Sequence, residues 1–498
     1  MLASGPTTFD RLRRTIGLFA GPAAFLLVLA VPLDLNPQAH RLAAVFALVI
    51  VFWISEAIPL PATALLGPAL AVPLGVASAR QAFASFGHPI IFLFMGSFLI
   101  SRAMIAHGLD RRIALFVLSR RWVGDSPARI LLAFGGIAAF LSMWMSNTAT
   151  TAMMLPIGLG VLSTLPERQS QDDVTAPWPY ATGLMLMIAF SCNIGGIGTP
   201  VGSPPNLIAI GMVEQLAGRT ISFFEWMSFA VPILLVLFVF LFLLIRGMFS
   251  GKRKAIGGAV EAIRTARSGL GRWNNGEKVS LAAFLLAVFL WTLPGFTSIV
   301  FGSESTAATT LREALPEGPS AILAAALLFL VPIDWNARKF AMDWRRAAGI
   351  DWGTILLFGG GLSLGSLAFS SGLAEALGRG IERASGGWPL WAVVLIALLV
   401  ADFATEVMSN TATANLLIPI FLALAVQAAE PSMLPALAAT LGCSLAFCLP
   451  VATPPNAIVY GSGQVPLSWM IRAGILLDLG CALLAWATLM LLSTLLPI

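Results

Sequence analysis

Long apolar stretches separated by short polar segments dominate this sequence. A helix needs about 20 apolar residues to cross a bilayer, and many of these stretches approach or reach that length. The pattern predicts an all-α, polytopic membrane protein with 11 transmembrane helices. The predicted spans lie at 15–33, 40–58, 61–77, 89–107, 180–199, 224–246, 278–295, 319–335, 352–369, 433–452 and 470–492.

Two further apolar stretches, 128–162 and 388–427, are each interrupted near the middle by polar residues. We predict that they are re-entrant hairpins, each made of two half-helices that return to the side they entered from. Polar backbone is tolerated at membrane depth only where protein or a wet cavity surrounds it. The tips of the hairpins should therefore line a shared interior site.

Short segments at 109–122 and 373–386 follow spans four and nine and mix apolar with charged residues. This pattern is typical of amphipathic helices that lie in the membrane interface. Two roles remain open for them. They are levers between a moving part and a fixed part of the protein, or ordinary connectors beside the membrane.

Composition and charge agree with a membrane protein. Hydrophobic residues make up 58% of the chain and charged residues 11%, which is too little charge for a soluble surface. The net charge of +5 comes from connecting segments, with basic residues such as Arg111, Lys252 and Arg345, and indicates orientation in the membrane, not nucleic-acid binding. We expect a bacterial inner (cytoplasmic) membrane protein with these clusters and the N-terminus in the cytoplasm and the C-terminus outside.

The four cysteines and the first apolar stretch have structural explanations. Cys192, Cys443, Cys448 and Cys481 lie in apolar stretches without disulfide or metal-binding spacing, so we interpret them as small buried residues.

The first stretch has the length of a span and lacks a small-residue cleavage site. We interpret it as an anchor and not as a signal peptide.

The second half of the sequence repeats the first. Segment 94–100 matches 358–364 at an offset of 264, and Ser146-Asn-Thr matches Ser409-Asn-Thr at 263. Ser203-Pro-Pro-Asn matches Thr453-Pro-Pro-Asn at 250. Span four runs inward and span nine outward in the predicted topology, so the two repeats are inverted. Inverted repeats allow one site to open to either side of the membrane.

The Ser-Asn-Thr triplets that begin at Ser146 and Ser409 lie at the turns of the two hairpins. Each turn starts a half-helix whose free N–H groups and positive dipole end favour an anion. Hydroxyl and amide groups add neutral donors. No Lys or Arg occurs within 130–165, 177–218 or 387–469. Dipoles, hydroxyls and bound cations must then balance the substrate charge, which favours Na⁺ coupling over plain anion exchange.

A second pair of motifs interrupts spans five and ten. Glycines and prolines at 195–205, and prolines at 450, 454 and 455, prevent a regular helix. An unwound segment frees carbonyl oxygens, which are hard ligands suited to Na⁺. The structural alternative for a single motif is local backbone bonding or helix packing. Two copies at matching positions favour a function.

Two carboxylates, Asp402 and Glu406, precede the second triplet inside a predicted hairpin. Intramembrane carboxylates are costly and are often functional. The first repeat has Met143 where the second has Glu406, and a hydrogen bond within the hairpin explains Glu406 equally well. We therefore leave both out of the site, and we interpret Asn193 and His88 as satisfied interior polar groups.

With these paired motifs the chain resembles, over nearly its whole length, the divalent-anion:sodium symporter family of bacterial dicarboxylate, citrate and sulfate transporters in the ion transporter superfamily. The resemblance implies that the substrate neighbours are Ser146, Asn147, Thr148, Ser203, Pro204, Ser409, Asn410, Thr411, Thr453 and Pro454. It also implies two Na⁺ sites, one at Ser142, Ser146, Asn147 and the Gly202 carbonyl, the other at Thr405, Asn410 and the Ala452 carbonyl.

The resemblance further implies a homodimer in which a transport domain moves against a scaffold domain by an elevator mechanism. Scaffold helices 1–4 are expected at 1–108, an interfacial helix at 109–122 and the first half of the transport domain at 123–248. The cytoplasmic loop and scaffold helices 7–9 are expected at 249–372, a second interfacial helix at 373–386 and the second transport half at 387–498.

We therefore expect a secondary active transporter that takes up a divalent anion with Na⁺ and needs no organic cofactor. The resemblance indicates C4-dicarboxylates such as succinate, fumarate and malate, while sulfate or citrate would use the same donors. A Na⁺-independent dicarboxylate exchanger is the nearest alternative.

A channel would gain nothing from inverted repeats around a closed site. An intramembrane enzyme would need catalytic residues near the motifs, and His40, His88 and His107 lie elsewhere in the sequence. The sequence also lacks the nucleotide-binding loop of an ATP-driven pump.

Overall fold

The computed structural model describes residues 8–163, 179–249, 258–302, 304–385, 387–427 and 432–495. Most of these residues lie in helices. The first eleven helices are α1 (Thr8–Ala30), α2 (Pro37–Ser55), α3 (Leu60–Ala71), α4 (Ala79–Ala84), α5 (Pro89–His107), α6 (Leu109–Leu118), α7 (Pro127–Ser142), α8 (Asn147–Ser163), α9 (Pro179–Gly195), α10 (Pro204–Ala217) and α11 (Phe223–Phe249). They are followed by α12 (Ala259–Ser268), α13 (Asn275–Phe301), α14 (Thr306–Ala314), α15 (Glu317–Leu330), α16 (Trp344–Ala347), α17 (Trp352–Ser370), α18 (Leu373–Ser385), α19 (Leu390–Thr405), α20 (Asn410–Gln427), α21 (Leu434–Gly442), α22 (Pro454–Tyr460) and α23 (Leu467–Ser493).

Seven of the described helices are long and apolar enough to cross a membrane, namely α1, α2, α5, α11, α13, α17 and α23. The pair α14 and α15, bent by 60°, adds an eighth candidate. Predicted spans three, five and ten coincide with the shorter helices α3, α9 and α21. The number of eleven spans therefore stays a prediction, whereas the polytopic helical fold is confirmed.

Predicted span eight was too long, and the chain is not purely α-helical. Helix α15 ends at Leu330, and an antiparallel ribbon of β1 (Pro332–Asp334) and β2 (Lys339–Phe340) follows it. Pro332 has no N–H to donate and so cannot continue the helical hydrogen-bond pattern. The first amphipathic helix was also predicted too long, since α6 ends at Leu118 and not at residue 122.

Each predicted hairpin is a pair of helices separated by a four-residue break. Helix α7 ends at Ser142 and α8 begins at Asn147, while α19 ends at Thr405 and α20 begins at Asn410. The two helices of each pair pack against each other. The Ser-Asn-Thr triplets therefore lie at helix starts, as the sequence predicted. The re-entrant path through a membrane remains a prediction.

The first broken span is where the sequence placed it, whereas the second break begins at Cys443, seven residues before Pro450. Helix α9 stops at Gly195 and α10 starts at Pro204, and helix α21 stops at Gly442 and α22 starts at Pro454. The halves then pack crosswise: α8 lies against α22, and α20 lies against α10. Each hairpin thus meets the broken span of the other half, which brings both pairs of motifs into one region.

The sequence repeat also reappears where α5 and α17 meet their neighbours. Phe94 and Phe358, which match at the offset of 264, pack against each other with ring centroids 5.4 Å apart. Gly96 and Gly360 match at the same offset. A Cβ at Gly96 would lie 2.6 Å from the carbonyl carbon of Ala321, and one at Gly360 would lie 2.7 Å from the Cβ of Ala64. Both glycines therefore permit close helix packing, as small residues do in membrane proteins.

We expect Gly96→Ala and Gly360→Ala each to destabilise the protein by about 1–3 kcal/mol, because the added methyl group overlaps a neighbouring helix. Thermal unfolding of the purified protein in detergent measures this effect. Gly160→Ala in α8 is the matched control, since a Cβ there has no atom within 4 Å. Equal melting temperatures for all three variants would show that Gly96 and Gly360 do not lie in close helix–helix contacts.

Candidate functional site

The first hairpin tip joins a hydroxyl to an amide oxygen. The Ser142 hydroxyl at the end of α7 donates to Asn147 Oδ1 at the start of α8, at 2.6 Å. Ser146 caps α8, because its Oγ accepts from the N–H of Ala149 at 3.2 Å. The cap satisfies one of the free donors at the helix start. The break is therefore closed by its own polar residues.

The second tip repeats this arrangement with the same spacing. The Thr405 hydroxyl at the end of α19 donates to Asn410 Oδ1 at 2.8 Å. It also lies 3.3 Å from the carbonyl oxygen of Cys443 in the second broken span. Ser409 Oγ accepts from the N–H of Ala412 at 3.1 Å and caps α20. A hydroxyl paired with an Asn five residues later is thus common to both halves.

The unwound segments are held by the asparagines that follow the Pro-Pro pairs. Asn206 Nδ2 donates to the carbonyl oxygens of Gly196 and Thr199, both at 2.8 Å. Asn456 Nδ2 donates to the carbonyl oxygens of Ala446 and Leu449, both at 3.1 Å. All three pairs of residues are related by the offset of 250. The site residues assigned from the sequence did not include Asn206 and Asn456, although their fixed place in both copies of the motif was visible.

Three carbonyl oxygens surround Gly202 in the first half. A Cβ there would lie 2.6 Å from the oxygen of Gly196, 2.9 Å from that of Met143 and 3.1 Å from that of Ser142. Together with the Ser142 and Asn147 side chains, this is a set of neutral oxygen ligands that suits Na⁺. The first predicted Na⁺ site is therefore a group of neighbours. In the second half, a hydrogen bond brings Thr405 and Asn410 together. Ala452 is buried, and none of the described contacts joins it to these two residues.

Asn193 on α9 connects the two halves. Its Nδ2 donates to Thr453 Oγ1 at 3.2 Å and to the carbonyl oxygen of Ala446 at 3.3 Å. Asn193 Oδ1 and Asn206 Oδ1 are buried and find no hydrogen-bond donor among the described residues. The interpretation of Asn193 as a fully satisfied polar group was therefore wrong for its oxygen. Unpaired buried oxygens are costly, and a cation or water would satisfy them.

Exposure separates the predicted substrate neighbours into three groups. The exposed residues are Ser146, Thr148 and Pro454, the half-buried ones are Asn147, Pro204, Ser409, Asn410 and Thr411, and the buried ones are Ser203 and Thr453. The hairpin tips are thus the accessible part of the site. Thr453 instead caps α22 by accepting from the N–H of Asn456.

Glu406 bonds outside its own hairpin, so the explanation by a bond within the hairpin was wrong. Its carboxylate accepts from the backbone N–H groups of Cys448 and Leu449, at 2.8 and 3.0 Å. These residues belong to the unwound segment after α21. Cys192, Cys443 and Cys481 are buried free thiols as expected, but Cys448 is only partly buried and donates to Asp478 Oδ2 at 2.7 Å.

A cavity of about 320 Å³ lies elsewhere in the molecule, near the starts of α11 and α15. Glu214, Glu225, Glu317 and Arg312 contribute to its wall, and none of the paired motif residues does. Three carboxylates make this cavity unsuitable for an anion. We therefore do not place the substrate there.

The chain is similar over most of its length to known transport proteins. The family model described as sodium:sulfate symporter transmembrane region matches residues 13–496. A protein named sodium-dependent dicarboxylate transporter SdcS from Staphylococcus saprophyticus is 36% identical over 93% of this chain and 88% of its own length. A protein of the same name from Staphylococcus aureus is 35% identical over 94% and 89%. The crystal structure of the Alcanivorax borkumensis YdaH transporter has a TM-score of 0.56 at 14% identity, covering 96% of this chain and 97% of that one, and supports the fold.

We expect Asn206→Ala and Asn456→Ala each to cost about 1–3 kcal/mol of stability, because each leaves two carbonyl oxygens in an unwound segment without their donor. Melting temperatures in detergent measure the loss. Asn275→Ala is the control, since its exposed side chain also donates to a backbone carbonyl, that of Ile333 at 3.0 Å. A loss in the control as large as in the two variants would contradict the bracing role.

Proposed function

This chain belongs to the sodium:sulfate symporter family, and we propose that it is a secondary active transporter that couples uptake of a C4-dicarboxylate, such as succinate, fumarate or malate, to Na⁺. The observation that carries the proposal is the repeated hydroxyl–amide pair, Ser142 with Asn147 and Thr405 with Asn410. The names of the two staphylococcal relatives support the dicarboxylate and the sodium dependence.

The anion binds at the two helix starts. Helices α8 and α20 begin at the triplets, and their first N–H groups and positive dipole ends lie there, with Ser146 and Thr148 exposed at the start of α8. A dicarboxylate has one carboxylate for each helix start. The residues in this role are those expected from the resemblance, with the exposed hydroxyls in direct contact and the buried Ser203 and Thr453 behind them.

Na⁺ binds at the oxygen groups behind the helix starts. In the first half the ligands are Ser142, Ser146, Asn147 and the carbonyl of Gly202, where nearby carbonyls supply further oxygens. The second half uses Thr405, Asn410 and the carbonyl of Ala452. Because no basic residue occurs in these segments, the bound Na⁺ ions provide the positive charge that the substrate needs.

The two asparagines couple the ions to the substrate. Asn147 and Asn410 each place a side-chain oxygen in a cation group and also form the first residue of a half-helix that faces the anion. A bound cation fixes the Asn side chain and therefore the helix start. By linkage, Na⁺ and substrate then strengthen each other's binding by the same factor.

We further propose inverted repeats, a homodimer and an elevator motion of the transport domain against the scaffold. The repeated contacts in the two halves and the crosswise packing of α8 with α22 and of α20 with α10 support a single site shared by two related halves. In this scheme α6 and α18 connect the moving and fixed parts. The proposal includes 11 spans, two re-entrant hairpins and a cytoplasmic N-terminus, and no enzymatic activity or organic cofactor.

Radiolabelled succinate uptake into proteoliposomes tests the function. We expect uptake under an inward Na⁺ gradient and none under an equal choline gradient. Ser146→Ala and Asn410→Ala should each lower uptake about tenfold or more, which corresponds to one lost hydrogen bond to a charged group. Ser163→Ala, at the exposed far end of α8, is the matched control and should transport normally.

Other outcomes would change the assignment. Uptake that ignores Na⁺ and rises with internal succinate would identify an exchanger. No succinate uptake under either gradient would remove the C4-dicarboxylate, and sulfate and citrate would then be measured in the same way.

A further inference from the structure

A group of acidic residues lies beside the hydroxyl–amide pair of the second half, and no basic residue in the described part of the chain pairs with it. Glu406 accepts from the N–H groups of Cys448 and Leu449, as described above. Asp478 on α23 accepts from the N–H of Phe447 at 3.2 Å and from the Cys448 thiol at 2.7 Å. The side-chain ligand atoms of Glu406, Cys448 and Asp478 lie within 4.8 Å of one another. Both carboxyl groups thus have N–H or S–H donors, and their side chains also hydrogen-bond each other.

Asp402 faces this group and has no such donors. It lies one helical turn before Glu406 on α19, is fully buried, and neither of its carboxylate oxygens finds a hydrogen-bond partner among the described residues. The charges of Asp478 and Glu406 act on it. A charged Asp402 would be costly at this buried position unless a positive ligand bound to it.

The surrounding helices offer no compensating cation. Of the elements packed on α19, α20 contains no titratable residue, α21 leads to Cys443 and Cys448, and α23 carries Asp478 and Cys481. Arg472 on α23 is exposed. An ionised Asp402 would then add a further negative charge to a buried acidic cluster, which costs several kcal/mol.

The first half shows that the fold does not need acids at these places. The sequence offset of 263 relates Asp402 to Ala139 and Glu406 to Met143. Helices α11 and α23 both have 27 residues and begin at Phe223 and Leu467. When the two helices are aligned from their first residues, Asp478 corresponds to Leu234.

The contacts agree with this correspondence. Gly198 in the first half corresponds to Cys448 at the offset of 250. A Cβ at Gly198 would lie 2.7 Å from Leu234 Cδ1 and 3.0 Å from Met143 Cε. Cys448 meets Asp478 in the same manner in the second half. Apolar packing therefore fills the position in one half that three acids occupy in the other, which points to a function for the acids.

We propose that Asp402 binds a proton, and that the carrier moves its substrate only when this proton is bound. Protonation converts the carboxylate of Asp402 and one H⁺ from water into a neutral carboxylic acid, and deprotonation returns the H⁺ to water. A neutral Asp402 removes the repulsion from Asp478 and Glu406 and lowers the cost of moving this region through the bilayer. The proton is a second kind of coupling or regulatory ion beside the Na⁺ of the proposed function, on which the transport part of this inference rests.

A proton fits Asp402 better than a metal cation does. Hard cations such as Na⁺ need several oxygen ligands at once. The oxygens of Glu406 and Asp478 already accept N–H or S–H donors, and neither Asp402 oxygen has a hydrogen-bond partner in the described part of the chain. A proton needs only the one carboxylate.

Infrared spectroscopy of the purified protein tests the proton directly and does not depend on knowing the substrate. Wild type at neutral pH should show the C=O band of a buried carboxylic acid that is absent in Asp402→Asn. Asp402→Ala, which installs the residue of the first half, is the second variant in case the first misfolds. Glu375→Gln, which removes an exposed carboxylate paired with Arg379, should leave the band unchanged.

Transport provides the second readout. Na⁺-driven succinate uptake by wild type should fall above the midpoint of the Asp402 titration by up to about tenfold per pH unit, the slope of a one-proton equilibrium. Asp402→Asn should keep uptake and lose this fall. A missing infrared difference would overturn the inference, whether or not succinate is the substrate. If the uptake of Asp402→Asn falls with pH as that of wild type does, the inference is also wrong. The same holds if the variants change only the Na⁺ concentration that half-maximal uptake requires.

Discussion

Backbone polar groups inside a membrane protein must find partners within the protein, and this constraint shapes the candidate site. The chain interrupts two helices of each half and then satisfies the freed groups with a small set of polar side chains. Asn206 and Asn456 hold the carbonyls of the unwound segments, while Ser146 and Ser409 cap the helices that start after the hairpin turns. The breaks are therefore ordered without any basic residue, and oxygen atoms remain available for a cation.

The two halves satisfy this constraint in nearly the same way, down to individual hydrogen bonds. The differences between them are consequently informative. Thr199 in the first half donates its hydroxyl to the carbonyl oxygen of Met143, whereas the corresponding Leu449 donates its N–H to the Glu406 carboxylate. The second half thus uses acids where the first uses backbone and apolar contacts, and the site is chemically asymmetric although its framework is repeated.

Much of this arrangement could be predicted from the sequence because it depends on residue types that act locally. Prolines and glycines end helices, and a Ser-Asn-Thr triplet inside an apolar stretch marks a capped turn, so the breaks at 143–146, 196–203 and 406–409 follow from the sequence. The fourth break, at 443–453, begins before Pro450, the first of the prolines that predicted it. The end of α15 at Leu330 was missed although Pro332, which cannot continue a helix, is visible in the sequence. The bonds of Glu406 to Cys448 and Leu449 were missed because they join segments 42 and 43 residues apart. The importance of Asp478 likewise appears only when α23 is packed on α19.

We propose that each half binds one Na⁺ at its hydroxyl–amide pair. Equilibrium binding of radiolabelled Na⁺ to the purified protein, in saturating substrate, measures the number of bound ions. We expect Ser142→Ala to remove the Na⁺ of the first half, Thr405→Ala to remove that of the second, and the double variant to remove both. Undiminished Na⁺ binding in the double variant would contradict the assignment of the two pairs as the cation sites.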